Sequence, residues 1–441
     1  MPWRAPAGTI QEVRMMTAAR PLRPTVAAAG GALLLTASVI LAINAAAAPS
    51  FLVPSGVRSF PHWLSGPFTG LGRTATWDGV GVLLVAMFAG WLAILAGARA
   101  LPARAVVATI VAGHVVFVLA PPLFSADVLG YVGLGRLGAL HHLDPYTFGT
   151  ASAPDDPIRT FLRWHNAKSP YGPLFTGLAE LLAPLGIAAS VWVFKAMTFA
   201  GSLGTVALVW RLAERRGHDP RVAAAFVGLN PVVLAFEVGG GHNDGLVVFM
   251  TVLGIALVER RREPLGGAAL VTGAAFKVTP GLLLPFAFVA ARGRRGGLVA
   301  GAAAAAVGCA AIALAVFGTQ AAGFLSTVST AGSGVASHSV PNQIALALGA
   351  DSVSHAGRLA ATVAFAVVFV VALWRAWRGA DWIASAGWAT LALLLGTTWL
   401  LPWYATWLMP LAALGDSRRL RIAAIVFVAY VMATRVSFLL A

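Results

Sequence analysis

Four short stretches hold most of the residues in this chain that could do chemistry. "SADVLGYVGLGR" (125–136) sets Asp127, Tyr131 and Arg136 after an apolar run that ends at Pro121-Pro122. "GGGHND" (239–244) puts His242, Asn243 and Asp244 beside three glycines. "FKVTP" (276–280) carries Lys277, and "LLPWYATW" (400–407) carries Trp403 and Tyr404. A carboxylate can take the proton of an attacking hydroxyl, and cationic groups can steady charge on a departing phosphate. Aromatic rings can pack against the apolar faces of sugars.

At 100° per residue, a helix over 127–140 puts Gly130, Tyr131, Leu134, Gly135 and Gly138 on the face of Asp127. Asp127 is therefore expected to overlook a glycine-stripped face that a ligand can approach closely. The competing role for Asp127 is capping the helix N-terminus. Arg136 points away, toward lipid headgroups or another wall of the site. "GGGHND" breaks the chain where a new helix begins, and free N–H groups there attract phosphate. His242 strengthens that attraction, while Asp244 either caps the helix or binds a sugar hydroxyl. One His and one Asp without further partners make a poor metal site, and no metal is assigned.

The lysines are Lys168, Lys195 and Lys277. Lys277 sits in an apolar setting and needs an anion, either Glu237, Asp244 or a ligand phosphate. Lys195 lies within an apolar run and is expected to snorkel to the surface. Glu180 and Glu237 fall in apolar segments, where a carboxylate is costly. Trp399, Trp403 and Tyr404 fit either an interfacial aromatic belt or a sugar-stacking platform. Tyr146, Trp164 and Tyr171 stand in a loop with proline-framed turns and suit a binding wall.

The elements that must position these residues are membrane helices. The chain has 441 residues, 59% hydrophobic and 11% charged, against about 25% charged in soluble domains. Its mean hydropathy is +0.81, and apolar runs of crossing length, roughly 20 residues, recur from residue 25 onward. The fold class is an all-α polytopic membrane bundle of about 11–13 crossings; a β-barrel would show short alternating segments. The net charge of +15 does not indicate nucleic acid. Arg4, Arg14, Arg20 and Arg23, Arg99 and Arg104, Arg211 to Arg221, Arg260 to Arg262, Arg292 to Arg295, Arg375 and Arg378, and Arg418 to Arg421 fall in alternate loops. That is the positive-inside pattern.

Spans are expected near 25–47, 78–98, 104–123, 188–210, 222–238, 244–259, 298–317, 357–376, 382–400, 402–414 and 421–440. The run 265–291 has basic residues at both ends, so it reads as a hairpin of two short helices with Lys277 at its tip. Segment 172–187 reads as a short helix at the outer interface. Residues 1–24 form a cytoplasmic tail and 25–441 one transmembrane domain, with an outer loop at 124–187. Cys309 is alone, so there is no intrachain disulfide. Arginine bookkeeping places every polar cluster, including "WHNAKSPYGP" (164–173) and "HSVPNQ" (338–343), on the outer side.

In order, "SADVLGYVGLGR", "LDPYTFG", "SPYGPL", "GGHNDGL", "AAFKVTP" and "LLPWYATWLMPL" resemble the membrane-embedded GT-C glycosyltransferases. Their nearest likeness is to the polyprenol-phosphate-mannose-dependent α-1,6-mannosyltransferases of actinobacteria. The resemblance covers about residues 120–415 and implies an inverting transferase. Its donor is a sugar, mannose, on polyprenyl phosphate; its acceptor is a glycan or lipoglycan at the outer membrane face. It carries the general-base role onto Asp127. Lys277 and His242 are assigned to the donor phosphate, with Arg163 and Lys168 in reserve. Sugar or acceptor contacts fall to Tyr131, Tyr146, Tyr171, Asn243, Asp244, His338, Asn342, Trp403 and Tyr404. No cofactor is implied, and the partners are the bilayer, donor and acceptor. Three expected spans precede Asp127, whereas many GT-C enzymes carry the acid after the first. The rival class is a transporter or flippase, which broken helices and a buried lysine also describe.

Overall fold

A computed structural model of the chain describes residues 24–47, 50–57 and 60–436. The expected cytoplasmic tail, with Arg4, Arg14, Arg20 and Arg23, lies outside the described residues. Among the described residues there is no strand. The principal helices are α1 (Pro24–Ala45), α2 (Trp77–Gly97), α3 (Ala103–Leu119), α4 (Asp127–His141), α5 (Pro173–Leu182), α6 (Ile187–Arg215) and α7 (Pro220–Gly228). After a π-helical segment (Val232–Val238) follow α8 (Asp244–Glu259), α9 (Glu263–Phe276), α10 (Leu284–Ala290), α11 (Arg295–Phe317), α12 (Gly323–Gly332) and α13 (Val340–Ala347). The chain ends with α14 (His355–Trp377), α15 (Trp382–Gly396), α16 (Met409–Leu414) and α17 (Arg418–Ala433).

Local chemistry sets several of these boundaries. The side chains of Thr76, Asp219, Ser354 and Asp381 cap α2, α7, α14 and α15, and Pro220 supplies a first-turn residue that needs no N–H partner. The hairpin expected at 265–291 is present. α9 runs to Phe276, Lys277 is extended, and a 3₁₀ turn at Thr279–Leu283 with Pro280 leads into α10.

Among the described residues, five helices are long and apolar enough to cross a membrane: 24–45, 77–100, 187–215, 295–330 and 355–377. The pair 220–228 and 232–238, bent by 44°, makes a sixth. Several other apolar runs are short or broken, such as 402–414, which is a 3₁₀ turn followed by a six-residue helix. α1 and α2 cross closely because Gly30 and Gly90 face one another; a Cβ at Gly90 would stand 2.6 Å from the Gly30 carbonyl. By contrast, the apolar windows of 295–330 and 355–377 are only 6% buried, as lipid-facing helices are.

The helices share two ends. At one, Arg216 binds Glu259, Asp381 and Asp416, Arg221 reaches the Leu101 carbonyl, and Arg294 reaches Glu263. The arginine-bearing loops therefore gather on a single face. α8 has 16 residues, so its other end lies about 24 Å away. There a satellite core of Val128, Leu129, Tyr131, Ile158, Phe175 and Phe194 joins α4, α5 and α6. The loop expected to carry chemistry thus packs around its own hydrophobic centre.

Candidate active site

The turn before α4 is held at both ends. The Leu123 N–H donates to the Gly239 carbonyl and the Phe124 N–H to the Leu52 carbonyl, at 3.1 and 2.6 Å. Phe124 has φ of 62°, a left-handed angle that is strained for a residue with a bulky side chain. Stacking on Phe236, with centroids 4.4 Å apart, helps fix it there. Asp127 then opens α4 as its first helical residue. The cap position belongs to Ala126, so Asp127 is not the N-cap.

Gly240 and Gly241 explain the break before α8. Gly241 has φ of 69°, and a Cβ on Gly240 would stand 2.6 Å from the His242 ring. This bend brings His242 Nδ1 to 3.3 Å from an Asp127 carboxylate oxygen. The separation suits an ion pair but the alignment does not make a hydrogen bond, and both ring nitrogens are buried without a hydrogen-bond partner. Trp403 stacks on the ring at 3.7 Å. Burial pushes the Asp127 carboxyl up, but the facing imidazole of His242, with Ser125 and the charge of Lys277, holds it below its usual range.

The next acid along is also paired. Asp244 accepts from Lys277 Nζ at 2.8 and 2.9 Å and from the Trp407 indole N–H at 2.6 Å. It is therefore not a cap either; Asn243 holds that position without a side-chain bond. Lys277 lies 4.6 Å from the Tyr404 ring centroid and 5.2 Å from that of Trp407, a cation–π arrangement. Tyr404 and Trp407 stack at 4.3 Å. Beside them, the Tyr131 hydroxyl accepts from the Asn243 backbone N–H at 3.3 Å, and Tyr171 packs edge-on to Tyr131 at 4.9 Å. The Asn243 side-chain nitrogen is buried and unpartnered.

Of the residues singled out from sequence, the structure brings together Asp127, Tyr131, Tyr171, His242, Asn243, Asp244, Lys277, Trp403 and Tyr404. It does not bring in the others. Tyr146 is buried and gives its hydroxyl to the Tyr171 carbonyl and Thr176. Asn342 is occupied by the Ser337 carbonyl and the Val353 N–H. Arg163 and Lys168 stay exposed, with Arg163 touching the Ser55 carbonyl. His338 lines a separate pocket.

Four expectations are corrected. Arg136 reaches neither lipid nor the site, because Asp156 holds it at 3.0 Å and also binds His141 at 2.6 Å, pinning the segment around Asp156 to α4. The glycine face of α4 is only partly open. Gly135 and Gly138 sit against Ala179 and Glu180 of α5, while a Cβ on Gly130 would meet nothing within 4 Å. Trp403 and Tyr404 belong to the site wall and not to a belt. Lys195 does not snorkel: it is fully buried and donates to the carbonyls of Phe117, Val238 and Gly239 at 3.1, 3.4 and 2.6 Å. It binds carbonyls at the ends of α3 and of the bent helix.

Sequence reading also missed Trp407. Residues three apart eclipse in a 3₁₀ helix, so the spacing from Tyr404 was the available signal. Among the described residues, no group of three or more His, Cys, Asp or Glu forms a metal cluster.

The chain has recognisable relatives. Residues 26–293 match the family profile described as Alpha-(1->6)-mannopyranosyltransferase, N-terminal domain, and residues 329–436 match the MptB C-terminal domain. Alpha-(1->6)-mannopyranosyltransferase A of Mycobacterium tuberculosis is 32% identical over 388 residues, covering 79% of this chain and 72% of that protein. The protein of the same name from Corynebacterium glutamicum is 29% identical over 182 residues, 40% of this chain and 37% of its own length. Alpha-(1->6)-mannopyranosyltransferase B of C. glutamicum is 28% identical over 146 residues, 32% of this chain and 24% of that protein. This chain belongs to the alpha-(1->6)-mannopyranosyltransferase family. Both matched regions build the site: Asp127, His242 and Lys277 come from the first, Trp403, Tyr404 and Trp407 from the second.

Proposed function

We propose that this member of the alpha-(1->6)-mannopyranosyltransferase family moves a mannosyl group from polyprenyl phosphate to the primary hydroxyl of a membrane-bound glycan. The reaction takes place on the membrane face opposite the arginine-rich loops. The observation that carries this reading is Asp127, a partly open carboxylate 3.3 Å from a histidine whose ring nitrogens have no hydrogen-bond partner. Orphaned polar atoms side by side in a buried site are what a bound polar substrate would satisfy.

Asp127 takes the proton of the acceptor hydroxyl as that oxygen bonds to C1 of the donor sugar. The bond from C1 to the phosphate oxygen breaks, its electron pair goes to that oxygen, and polyprenyl phosphate leaves. Attack opposite the leaving group inverts C1, so an α-linked product calls for a β-linked donor. Lys277 spends part of its donor capacity on Asp244 and remains 14% exposed, which leaves an N–H to meet the growing phosphate charge. His242 and the Asn243 amide face the same space. Arg163 and Lys168 stand in reserve on the outer loop. The scheme uses no metal, because the donor carries one phosphate and so offers no diphosphate to chelate.

The test is transfer of radiolabelled mannose from polyprenyl phosphate to an α-1,6-mannan oligosaccharide by purified protein in lipid nanodiscs. Asp127→Asn should abolish it in a folded protein; a near-wild-type rate overturns the base assignment. Sidedness is tested with Ser337→Cys in a Cys309→Ala background. Labelling from the cytoplasmic side alone would reverse the proposed orientation.

A further inference from the structure

Beside the catalytic cluster is a pocket of about 240 Å³ that the proposed reaction does not use. Its walls are segment 399–402, which leads directly into Trp403, loop 335–338, and the end of α17 with Tyr430 and Arg435. These walls are bonded to one another without any ligand. The Ala336 N–H donates to the Thr398 carbonyl at 2.8 Å, and the Thr398 hydroxyl donates to the Gly334 carbonyl at 2.9 Å. The Tyr430 hydroxyl donates to the His338 carbonyl at 2.6 Å.

The polar content of this pocket is unbalanced. Arg435 has neither a hydrogen bond nor an ion pair among the described residues, and its Nε is buried. Among the described residues, no aspartate or glutamate lines the cavity. His338 faces it too, and burial together with the charge of Arg435 holds that imidazole below its ordinary range. The adjoining Ser339 hydroxyl is buried without a partner. Two other inward-facing arginines are answered by carboxylates: Arg216 by Glu259, Asp381 and Asp416, and Arg136 by Asp156. A largely buried guanidinium without an anion is costly, and its planar fork matches phosphate oxygens.

We propose that this pocket holds the phosphate headgroup of an anionic membrane lipid, at a site distinct from the one for the leaving-group phosphate. The Trp399 ring, 37% exposed at the same wall, gives the polyol carried on that phosphate a face to stack on. Segment 399–407 then serves two sites. Its first residues hold the lipid headgroup and its last ones line the transfer site, so an acceptor anchored by such a phosphate would be presented beside Asp127. The binding claim itself does not depend on the role given to Asp127.

The experiment titrates purified full-length protein in neutral detergent with dihexanoyl phosphatidylglycerol, with inorganic phosphate and with a short-chain polyprenyl phosphate, reading tryptophan fluorescence. Arg435→Gln should weaken phosphatidylglycerol binding at least tenfold and leave polyprenyl phosphate unchanged, while Arg435→Lys should keep part of the affinity. His338→Glu, which supplies an internal carboxylate and retains the guanidinium, should give the same loss and covers the case where Arg435→Gln does not fold. If Arg435→Gln weakens polyprenyl phosphate instead, Arg435 belongs to the donor site and the proposal falls. It falls equally if neither ligand is affected, or if inorganic phosphate binds as tightly as the lipid. Lys277→Met in the same assay tests the donor-phosphate reading separately.

Discussion

At one end of α8, Glu259 accepts from a cation and an indole: Arg216 at 3.2 Å and Trp382 at 2.8 Å. At the other end Asp244 does the same, from Lys277 at 2.8 Å and Trp407 at 2.6 Å. The two networks use the same chemistry and differ in closure. Arg216 spends Nε on the Leu414 carbonyl and both terminal nitrogens on carboxylates; beside it, one nitrogen of His218 is buried without a hydrogen-bond partner. Around Asp127 and Asp244, both His242 ring nitrogens and the Asn243 side-chain nitrogen are left without hydrogen-bond partners. A network that satisfies itself holds helices together. One that leaves adjacent donors and acceptors unmet in a buried place is arranged for something that arrives later.

Substitutions at the two ends should therefore fail in different ways, and the largest contrast is at Asp127. Asp127→Asn keeps the shape and removes the proposed base, so transfer should fall by about 10²–10⁴-fold with the thermal midpoint unchanged. Lys277→Met should lower kcat by on the order of 10²-fold, with less effect on acceptor KM, because its positive charge matters most as phosphate charge develops. Arg216→Met tests the closed network. It should destabilise the protein by about 2–3 kcal/mol, since its carboxylate partners are part-exposed, while kcat per folded molecule stays near wild type. If Arg216→Met instead cut kcat as deeply as Lys277→Met, the distinction between the two ends would be lost.

The smallest effect is in pH dependence. A carboxyl held below its usual range stays ionised at neutral pH, and activity is lost only as pH falls through its own pKa. His242→Gln removes the largest of the influences that lower it, leaving burial to raise it. The acidic limb of kcat/KM should then move to higher pH, with a modest loss at neutral pH. An unmoved limb would mean that the imidazole does not tune Asp127. Activity should also survive EDTA treatment, read in the same transfer assay.

Much of this was legible because membrane sequences are strongly constrained. Arginines mark one set of helix ends, so the short run 265–291 with basic residues at both flanks had to turn back, and Pro280 fixed where. The motifs at Asp127, His242 and Lys277 could be assigned to a common side on the same grounds. Their pairing was not legible. Asp127 could have capped α4, and Lys277 had Glu237 and Asp244 as rival partners; Asp244 takes it, and Glu237 stays buried with one carboxylate oxygen unpartnered. Lys195 was misread because its carbonyl partners are supplied by α3 and by the break after Val238, which no local pattern connects to it. The glycines of α4 were misread for a related reason. Gly135 and Gly138 serve helix packing, and only the position of α5 separates that use from ligand access.

The amino-acid order alone determined an all-helical membrane protein and which scarce polar residues fall at the end away from the arginine-rich loops. Those follow from the cost of charge and unpaired backbone in hydrocarbon, which acts on each segment independently. Tertiary structure decided which acid meets which cation, which aromatic lines the site, and which arginine is left without an anion. Such choices depend on contacts a few ångströms long between residues distant in the chain, and only the packed helices fix them.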